Sequence, residues 1–324
     1  MDDAAPLTGR VVVLAGGLSH ERDVSLRSGR RVAEALRGAG IEVEERDVDG
    51  RLLPDLAAHP PACVVPLLHG ETGEDGAIRE VLELLDLPYV GSRPAACRTA
   101  FDKPVAKEIA ERAGLSTPTA VALPHETFRE LGAAAVMDAL LNRVGLPLMV
   151  KPAKSGSALG CSVVREPGEL AGAMVHAFAY GSTALVERFI EGYEVAVSVL
   201  EGPEGPAALP AVGIEPDGGF YDYTARYTAG STRFVVPAEL EPDVARACAD
   251  TALAAHAALG LRDLSRTDLI IDAAGTPWFL EVNVAPGMTE TSTVPLAIQA
   301  AGLDLGETVT GLVQRAVDRV RTLS

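Results

Sequence analysis

The first hundred residues alternate between short apolar runs and longer amphipathic stretches. The run RVVVLAGG is rich in valine, which is typical of a strand buried in a parallel sheet. The next stretch, DVSLRSGRRVAEALRGAG, has helical spacing and stops at Gly38 and Gly40. IEVEERDV, ACVVPLLHG and PYVG predict further strands, and AIREVLELLDL predicts another helix. Strands that alternate with helices predict a parallel α/β sheet, whose ligands collect in the loops after its strands, here residues 16–25 and 69–76.

A second unit begins near residues 93–103, with the helical stretch FDKPVAKEIAERAG. LPLMVKPAKSGSALGCSVV predicts two strands around a Gly/Ser loop, and ALVERFIEGYEVAVSVLEG predicts two strands around a turn at Glu191-Gly192. EGPEGPAALP is interpreted as a hairpin connection. A helix, PDVARACADTALAAHAALG, precedes the last strands. The pattern predicts a smaller antiparallel unit followed by a further unit from about residue 190.

A hairpin is predicted for SRTDLIIDAAGTPWFLEVN, with Ala274-Gly275 as a two-residue loop. In that register, Asp268 lies directly opposite Glu281. Side chains alternate along a strand, so Asn283 shares the face of Glu281, and Arg266 shares the face of Asp268. The hairpin therefore predicts two carboxylates, an amide and a guanidinium on one face.

Two opposed carboxylates in an apolar hairpin repel each other and are costly to desolvate. A divalent cation removes both costs, and ligands that are all oxygens favour Mg²⁺ or Mn²⁺ over Zn²⁺. The alternative is a surface hairpin whose polar side chains face water. Ile270 and Leu280 weigh against this alternative, because they indicate that at least one side of the hairpin is covered.

Composition narrows the classes of function. The chain has 324 residues, a formal net charge of −17 and no cluster of basic residues, which argues against nucleic-acid binding. No apolar run approaches the roughly 18 residues of a membrane span. Four scattered cysteines and an N-terminus without a signal-peptide core predict a cytoplasmic protein. A chain this acidic needs local cations to hold an anionic ligand.

Lys151 follows an apolar strand and precedes a loop of small residues, 153–160. Small residues let backbone N–H groups approach phosphate oxygens, so this loop and Lys103 are phosphate-binding candidates. The spacing is neither that of a P-loop nor that of a dinucleotide-binding turn. A loop without a ligand, and a solvated lysine, remain the alternatives.

Seven ordered blocks resemble the D-alanine–D-alanine ligase family of ATP-grasp enzymes. The blocks are LAGGLSHERDVSLRSG, LLHGETGEDGAIREVLELLDLPYVGS, DKPVAKEIAERAGL, LPLMVKPAKSGSALG, LVERFIEGYEVAVSVL, FYDYTARY and RTDLIID…FLEVNVAPGMTETSTVP. The resemblance implies an α/β fold of ATP-grasp type in three domains. These are an N-terminal α/β substrate domain (1–100), a central ATP-grasp domain (101–189) and a C-terminal ATP-grasp domain with the metal site (190–324).

The resemblance also implies the reaction and its participants. ATP phosphorylates the carboxylate of one D-alanine, and the amine of a second D-alanine attacks the acyl phosphate, giving D-alanyl-D-alanine for peptidoglycan synthesis. It implies ATP as cosubstrate, two Mg²⁺ or Mn²⁺ ions, and a homodimer formed through the N-terminal unit. No nucleic-acid or membrane partner is expected.

The resemblance assigns roles to individual residues. The metal ligands are Asp268, Glu281 and Asn283, with Glu281 bridging both ions. The ATP-binding residues are Lys103, Lys151, Ser157, Glu187, Arg188, Phe189, Ile190, Glu194 and Arg226. The substrate-binding residues are Glu21, His69, Arg266, Ser292 and Thr293. The catalytic residues are Glu21, Ser157, Tyr227, Arg266 and Gly287. Glu21 receives the first ammonium group, and Tyr227, linked to it through Ser157, accompanies dipeptide formation.

Several positions depart from the family pattern: Arg226, Val284, Ala153, Ala158 and Thr293. Val284 and Thr293 are expected to lie near the acceptor amino acid, which predicts an altered or broadened second-substrate preference. Two alternatives to D-alanyl-D-alanine formation remain. One is an ATP-grasp ligase with another D-amino acid or D-hydroxy acid as acceptor. The other is a nucleotide-binding or regulatory protein that has lost ligation.

Overall fold

The structure is a computed structural model that describes residue 7, residues 9–217 and residues 232–323. Its strands are β1 Val11–Leu14, β2 Val43–Arg46, β3 Cys63–Pro66, β4 Ala120–Pro124, β5 Leu148–Pro152, β6 Ser162–Val164, β7 Thr183–Arg188, β8 Tyr193–Gly202, β9 Gly205–Ala208, β10 Val212–Pro216, β11 Thr232–Val235, β12 Leu264–Ile271 and β13 Pro277–Asn283. Within the described residues these strands form three sheets, and the α/β prediction is confirmed.

Helices cover these sheets. They are α1 Arg22–Gly38, α2 Leu52–Ala58, α3 Glu71–Glu74, α4 Ala77–Leu84, α5 Pro94–Phe101, α6 Lys103–Arg112, α7 His125–Leu131, α8 Ala133–Val144, α9 Leu170–Phe178, α10 Pro242–Ala258, α11 Thr293–Ala300 and α12 Leu305–Leu323. Among the residues described, no helix is both long and apolar enough to cross a membrane.

The N-terminal sheet is parallel, with strand order β2-β1-β3, as the sequence predicts. All four residues of β1 are buried, because helices and loops cover both faces. PYVG was predicted as a short strand, but it contributes only an isolated parallel bridge between Tyr89 and Val64. The loops after β1 and β3 leave the sheet at the same edge and face the rest of the molecule.

The second sheet is antiparallel, in the order β4-β7-β5-β6. One face packs into a hydrophobic core with α8 and α9. The residues on the other face differ in character, because side chains alternate across a strand. Lys151 and Met149 of β5 and Glu187 of β7 lie there, and all three line a cavity described below.

The third sheet is antiparallel in the order β11-β10-β8-β12-β13, with β9 paired to β8. EGPEGPAALP forms the predicted hairpin connection, in which Gly202 pairs with Gly205. Strands β7 and β8 flank the turn at Glu191-Gly192, yet they belong to different sheets. That turn therefore carries the chain from the second sheet to the third. Helix α10 packs on the third sheet through Cys248, Ala252 and Ala255.

The β12–β13 hairpin differs in detail from the prediction. Its loop has three residues, 273–275, because Asp272 N–H donates to the Thr276 carbonyl and Gly275 has φ of 82°. The added residue shifts the pairing by one position at Ile271–Pro277. A bulge between Phe279 and Glu281 shifts it back, so Asp268 does lie opposite Glu281. The two-residue loop was wrong, and the predicted carboxylate pair is confirmed.

A buried carboxylate joins the N-terminal unit to the third sheet. Asp263, immediately before β12, is fully buried and accepts hydrogen bonds from Arg319 of α12 at 2.5 and 2.8 Å. It also accepts one at 2.7 Å from Gly91 N–H, next to the bridge that follows β3. One carboxylate thus fixes three segments that are distant in sequence.

Removing Arg319 should cost far more stability than removing a surface arginine. Arg319→Ala would leave the Asp263 carboxylate buried without its cation, so we expect the free energy of unfolding to fall by about 3–5 kcal/mol. Arg98→Ala breaks an exposed pair with Glu80 and should cost about 1 kcal/mol or less. Urea denaturation of both variants measures the difference. Equal losses would contradict the role of the buried pair.

Candidate active site

Two cavities adjoin at the β12–β13 hairpin. The first has a volume of about 320 Å³ and lies between the N-terminal loops and the third sheet. The second has a volume of about 440 Å³ and lies between the second and third sheets. Both are lined by Lys103, Ser155, Ile214, Asp268 and Glu281. The predicted carboxylate pair therefore lies where the two cavities meet.

The first cavity collects the residues that the sequence assigns to substrates and metal. They are Glu21, His69, Ser157, Arg266, Asp268, Glu281, Asn283, Gly287, Ser292 and Thr293. Their origins differ: the loops after β1 and β3, the Gly/Ser loop after β5, the hairpin, and the start of α11. The fold brings together residues that are spread over most of the chain.

Glu21 and Ser157 connect the N-terminal unit to the Gly/Ser loop. The Ser157 hydroxyl donates a hydrogen bond to the Glu21 carboxylate, and both side chains are buried. Ser157 and Ala158 have φ values of 53° and 54°, in the left-handed region that non-glycine residues rarely occupy. The loop therefore adopts a strained backbone where it meets Glu21.

His69 is held in one tautomer by a chain of hydrogen bonds. Its Nδ1 lies 2.9 Å from the Ala285 carbonyl, which can only accept, so Nδ1 carries the proton. Its Nε2 then accepts from the Ser28 hydroxyl at 3.1 Å, and Ser28 Oγ accepts from Met288 N–H at 3.0 Å. Burial lowers the pKa of His69, although Glu21 opposes this shift. The histidine thus connects the loop after β3 to residues 285–288.

The two opposed carboxylates, Asp268 and Glu281, are each paired with a cation. Arg266 donates to both oxygens of Asp268 at 2.8 Å. Lys103 Nζ lies 3.2 Å from Glu281 Oε2 and donates to the Ser155 carbonyl at 2.6 Å. Positive side chains thus neutralise the two carboxylates that repel each other across the hairpin. The amide oxygen of Asn283 accepts a hydrogen bond from Ala285 N–H at 2.8 Å.

Among the described residues, no three His, Cys, Asp or Glu side chains are grouped so that they could hold a metal ion. Two carboxylates, those of Asp268 and Glu281, and the amide of Asn283 are the oxygen donors that the hairpin presents to the first cavity.

The second cavity collects the residues assigned to the nucleotide. They are Lys103, Lys151, Glu187, Arg188, Phe189, Ile190 and Glu194. Met149, Ile270 and Leu280 add an apolar wall. The bulge explains why Leu280 and Glu281, although consecutive, both face this cavity, because an extra residue interrupts the alternation of the strand. Ser157 lines only the first cavity.

Comparison with known proteins decides the family. The family model for the D-ala D-ala ligase C-terminus matches residues 109–314. A D-alanine–D-alanine ligase from Nitrosospira multiformis is 40% identical over 93% of this chain and 94% of its own length. One from Alkalilimnicola ehrlichii is 41% identical over 94% of each chain. The chain belongs to the D-alanine–D-alanine ligase family.

Solved structures agree with this assignment. The VanG D-Ala:D-Ser ligase from Enterococcus faecalis has a TM-score of 0.82 and 27% identity, covering 95% of this chain and 99% of its own. The D-alanine–D-alanine ligase from Bacillus anthracis in complex with ATP has a TM-score of 0.80 and 26% identity, covering 98% and 100%. The predicted ATP-grasp fold class is confirmed.

Sequence reasoning missed two buried residues in this member of the ligase family. Glu74 lines the first cavity and accepts from Gly70 N–H at 3.1 Å. It lies in an acidic loop that was predicted to be near a ligand, but nothing in the pattern distinguishes it from its neighbours. Lys107 lies one helical turn after Lys103 and 2.7 Å from Glu187 Oε2. Its spacing of four residues from Lys103 was the available signal.

Two predicted residues, Arg226 and Tyr227, lie outside the described residues. Their assignments therefore stay predictions from the family resemblance.

Replacing Glu74 should alter how stability depends on pH. Burial and, next, Glu21 raise the pKa of Glu74 to about 8 from 4.5, so the folded protein binds a proton that the unfolded chain releases. The contribution of protonated Glu74 to the free energy of unfolding is therefore complete below pH 4.5 and is lost as pH rises through about 8. Glu74→Gln removes this loss.

We therefore expect the thermal unfolding midpoint of Glu74→Gln, relative to wild type, to rise between pH 5 and pH 9. Glu71→Gln changes an exposed carboxylate on the same short helix and is the matched control. A relative midpoint that stays constant with pH in the Glu74 variant would refute the assigned shift.

Proposed function

We propose that this chain joins two D-alanines in an ATP-dependent reaction to give D-alanyl-D-alanine, ADP and phosphate. The observation that carries the proposal is the meeting of the two cavities at Asp268 and Glu281. A nucleotide in the second cavity would present its terminal phosphate at this junction. An amino-acid carboxylate in the first cavity would reach the same place.

The hairpin residues fit the divalent ions that this reaction uses. Asp268, Glu281 and Asn283 supply hard oxygen donors, and the first two are carboxylates at the junction of the cavities. These three residues would hold two Mg²⁺ or Mn²⁺ ions. When bound, the ions would neutralise phosphate charge during transfer.

The protein residues would position the two substrates. Glu21 would hold the ammonium group of the first D-alanine, so that its carboxylate points to the junction. A carboxylate oxygen would attack the terminal phosphorus of ATP, and ADP would leave. Lys103 and Lys151 would fix the phosphates by charge, and correct placement supplies much of the rate in such transfers.

The second step would form the peptide bond. The uncharged amine of the second D-alanine would attack the acyl carbon, phosphate would leave with one former carboxylate oxygen, and the amine would lose a proton. Arg266 and the N–H of Gly287 would stabilise the negative charge on the tetrahedral intermediate. Arg266 is suited to this role because its bidentate contact with Asp268 fixes the guanidinium plane.

A second candidate function is ligation to an acceptor other than D-alanine. Thr289, Thr291, Ser292 and Thr293 line one end of the first cavity, which is therefore rich in hydroxyl groups. Val284 does not contribute, since its side chain is buried in the hydrophobic core rather than in this cavity. The predicted change in acceptor preference therefore depends on Thr293.

A homodimer and a cytoplasmic location stay predictions from the resemblance.

Phosphate release tests the leading function. Purified protein with ATP, Mg²⁺ and D-alanine should release phosphate and form D-alanyl-D-alanine, identified by mass. Glu281→Gln should lower turnover by at least about a thousandfold, because one carboxylate of the metal set is lost. The matched control, Glu307→Gln, changes an exposed carboxylate and should keep normal turnover. ATP binding without phosphate release in the wild type would favour a nucleotide-binding module.

A panel of acceptors tests the second candidate. D-serine, D-lactate and other D-amino acids would each compete with D-alanine, and the products would be separated by mass. We expect Thr293 to permit at least one acceptor with a polar side chain, and Thr293→Leu to shift the products toward D-alanyl-D-alanine. Strict use of D-alanine by the wild type would contradict the broadened preference.

A further inference from the structure

Lysine is distributed unevenly in this chain. Lysine and arginine together number 28, and only four are lysines: Lys103, Lys107, Lys151 and Lys154. All four fall within residues 103–154, and the first three are buried. An ammonium group is a compact point charge, whereas a guanidinium is broad and planar. The clustering indicates that the second cavity needs small cations in confined positions.

Lys107 belongs to this cluster but lies behind the cavity wall. Its Nζ is 2.7 Å from Glu187 Oε2, and Lys151 Nζ is 2.6 Å from Glu187 Oε1. The three side chains are 3–8% exposed. Lys151 and Glu187 line the second cavity, whereas Lys107 is not among the lining residues described. One buried carboxylate is therefore shared by two ammonium groups.

The charges in this cluster do not balance. Lys103, Lys107 and Lys151 contribute three positive charges, and Glu187 and Glu281 contribute two negative ones. A buried net positive charge is unfavourable unless an anion approaches it. Burial lowers the pKa of Lys107, although Glu187 opposes this shift. At Lys151, Glu187 and Glu281 outweigh burial and raise the pKa.

We propose that Lys107 is a positioning residue for the nucleotide phosphates, acting through Glu187. Lys107 pairs with one oxygen of Glu187, so that carboxylate does not fully neutralise Lys151. Lys151 therefore keeps a positive charge that can bind a phosphate. The inference rests on the proposed binding of ATP in the second cavity. It predicts that Lys107 affects the phosphate part of the ligand and not the nucleoside part.

The measurement is the ratio of the dissociation constant of adenosine to that of ATP, obtained by calorimetry with Mg²⁺ present. Lys107→Met removes the charge and leaves two cations with two carboxylates. ATP affinity should fall by about tenfold or more, while adenosine affinity changes by less than about twofold. Arg112→Met, which changes an exposed cation at the end of the same helix, is the control and should leave the ratio unchanged.

The double variant Lys107→Met/Glu187→Gln separates charge from packing. It leaves two cations with one carboxylate, which restores the net positive charge of the wild type. The ratio should therefore return to within about threefold of the wild-type value, although two buried side chains have changed. If Lys107→Met does not fold, Lys107→Gln, which removes the charge but keeps a polar side chain, takes its place with the same expected ratio.

Two outcomes would overturn the inference: an unchanged ratio in Lys107→Met, or a ratio in the double variant that stays reduced about tenfold. Failure of the wild-type protein to bind ATP is a different result. It would contradict the proposed function, and this inference with it.

Discussion

The site depends on the pairing of Asp268 with Glu281 across the β12–β13 hairpin. Two carboxylates in direct opposition repel, and the fold keeps them together by placing a cation on each: Arg266 on Asp268 and Lys103 on Glu281. The pair also marks the boundary between the two cavities. Under the proposed function, the phosphate of ATP on one side and the carboxylate of D-alanine on the other would meet at these two residues, as a reaction through an acyl phosphate requires.

The rest of the structure fixes this junction from several directions. Asp102 caps α6 and places Lys103 at its first turn. His69 joins the N-terminal loops to residues 285–288 through Ser28 and Ala285. The buried carboxylate of Asp263, which accepts from Arg319 and from Gly91 N–H, holds the base of β12 against the N-terminal unit. The hairpin thus contacts every unit that would contribute a substrate-binding residue.

Much of this architecture follows from local sequence patterns. Valine-rich runs predicted the parallel strands, and alternation in the hairpin placed Asp268 opposite Glu281. The pairing was predicted for an incomplete reason, however. A three-residue loop and a bulge at Leu280 each shift the register by one residue, and the two shifts cancel. Binary patterns do not show such paired irregularities, because each one leaves the apolar composition of the strand unchanged.

Contacts between distant segments were the part that local patterns did not reveal. His69 and Ala285 are 216 positions apart, and Lys107 meets Glu187 only because α6 packs beside the second sheet. The raised pKa of Glu74 likewise results from burial beside Glu21, which its acidic loop does not indicate. Such features depend on tertiary packing, whereas the family resemblance supplied residue roles that spacing alone left open.

Isotope transfer tests the central claim most directly, because it follows the oxygen that would cross the junction. D-alanine labelled with ¹⁸O in its carboxylate would be incubated with the protein, ATP and Mg²⁺, and the released phosphate would be analysed by mass. If the carboxylate of D-alanine is phosphorylated beside Asp268 and Glu281 before the peptide bond forms, each released phosphate carries one ¹⁸O atom. Dipeptide formation with unlabelled phosphate would contradict the account.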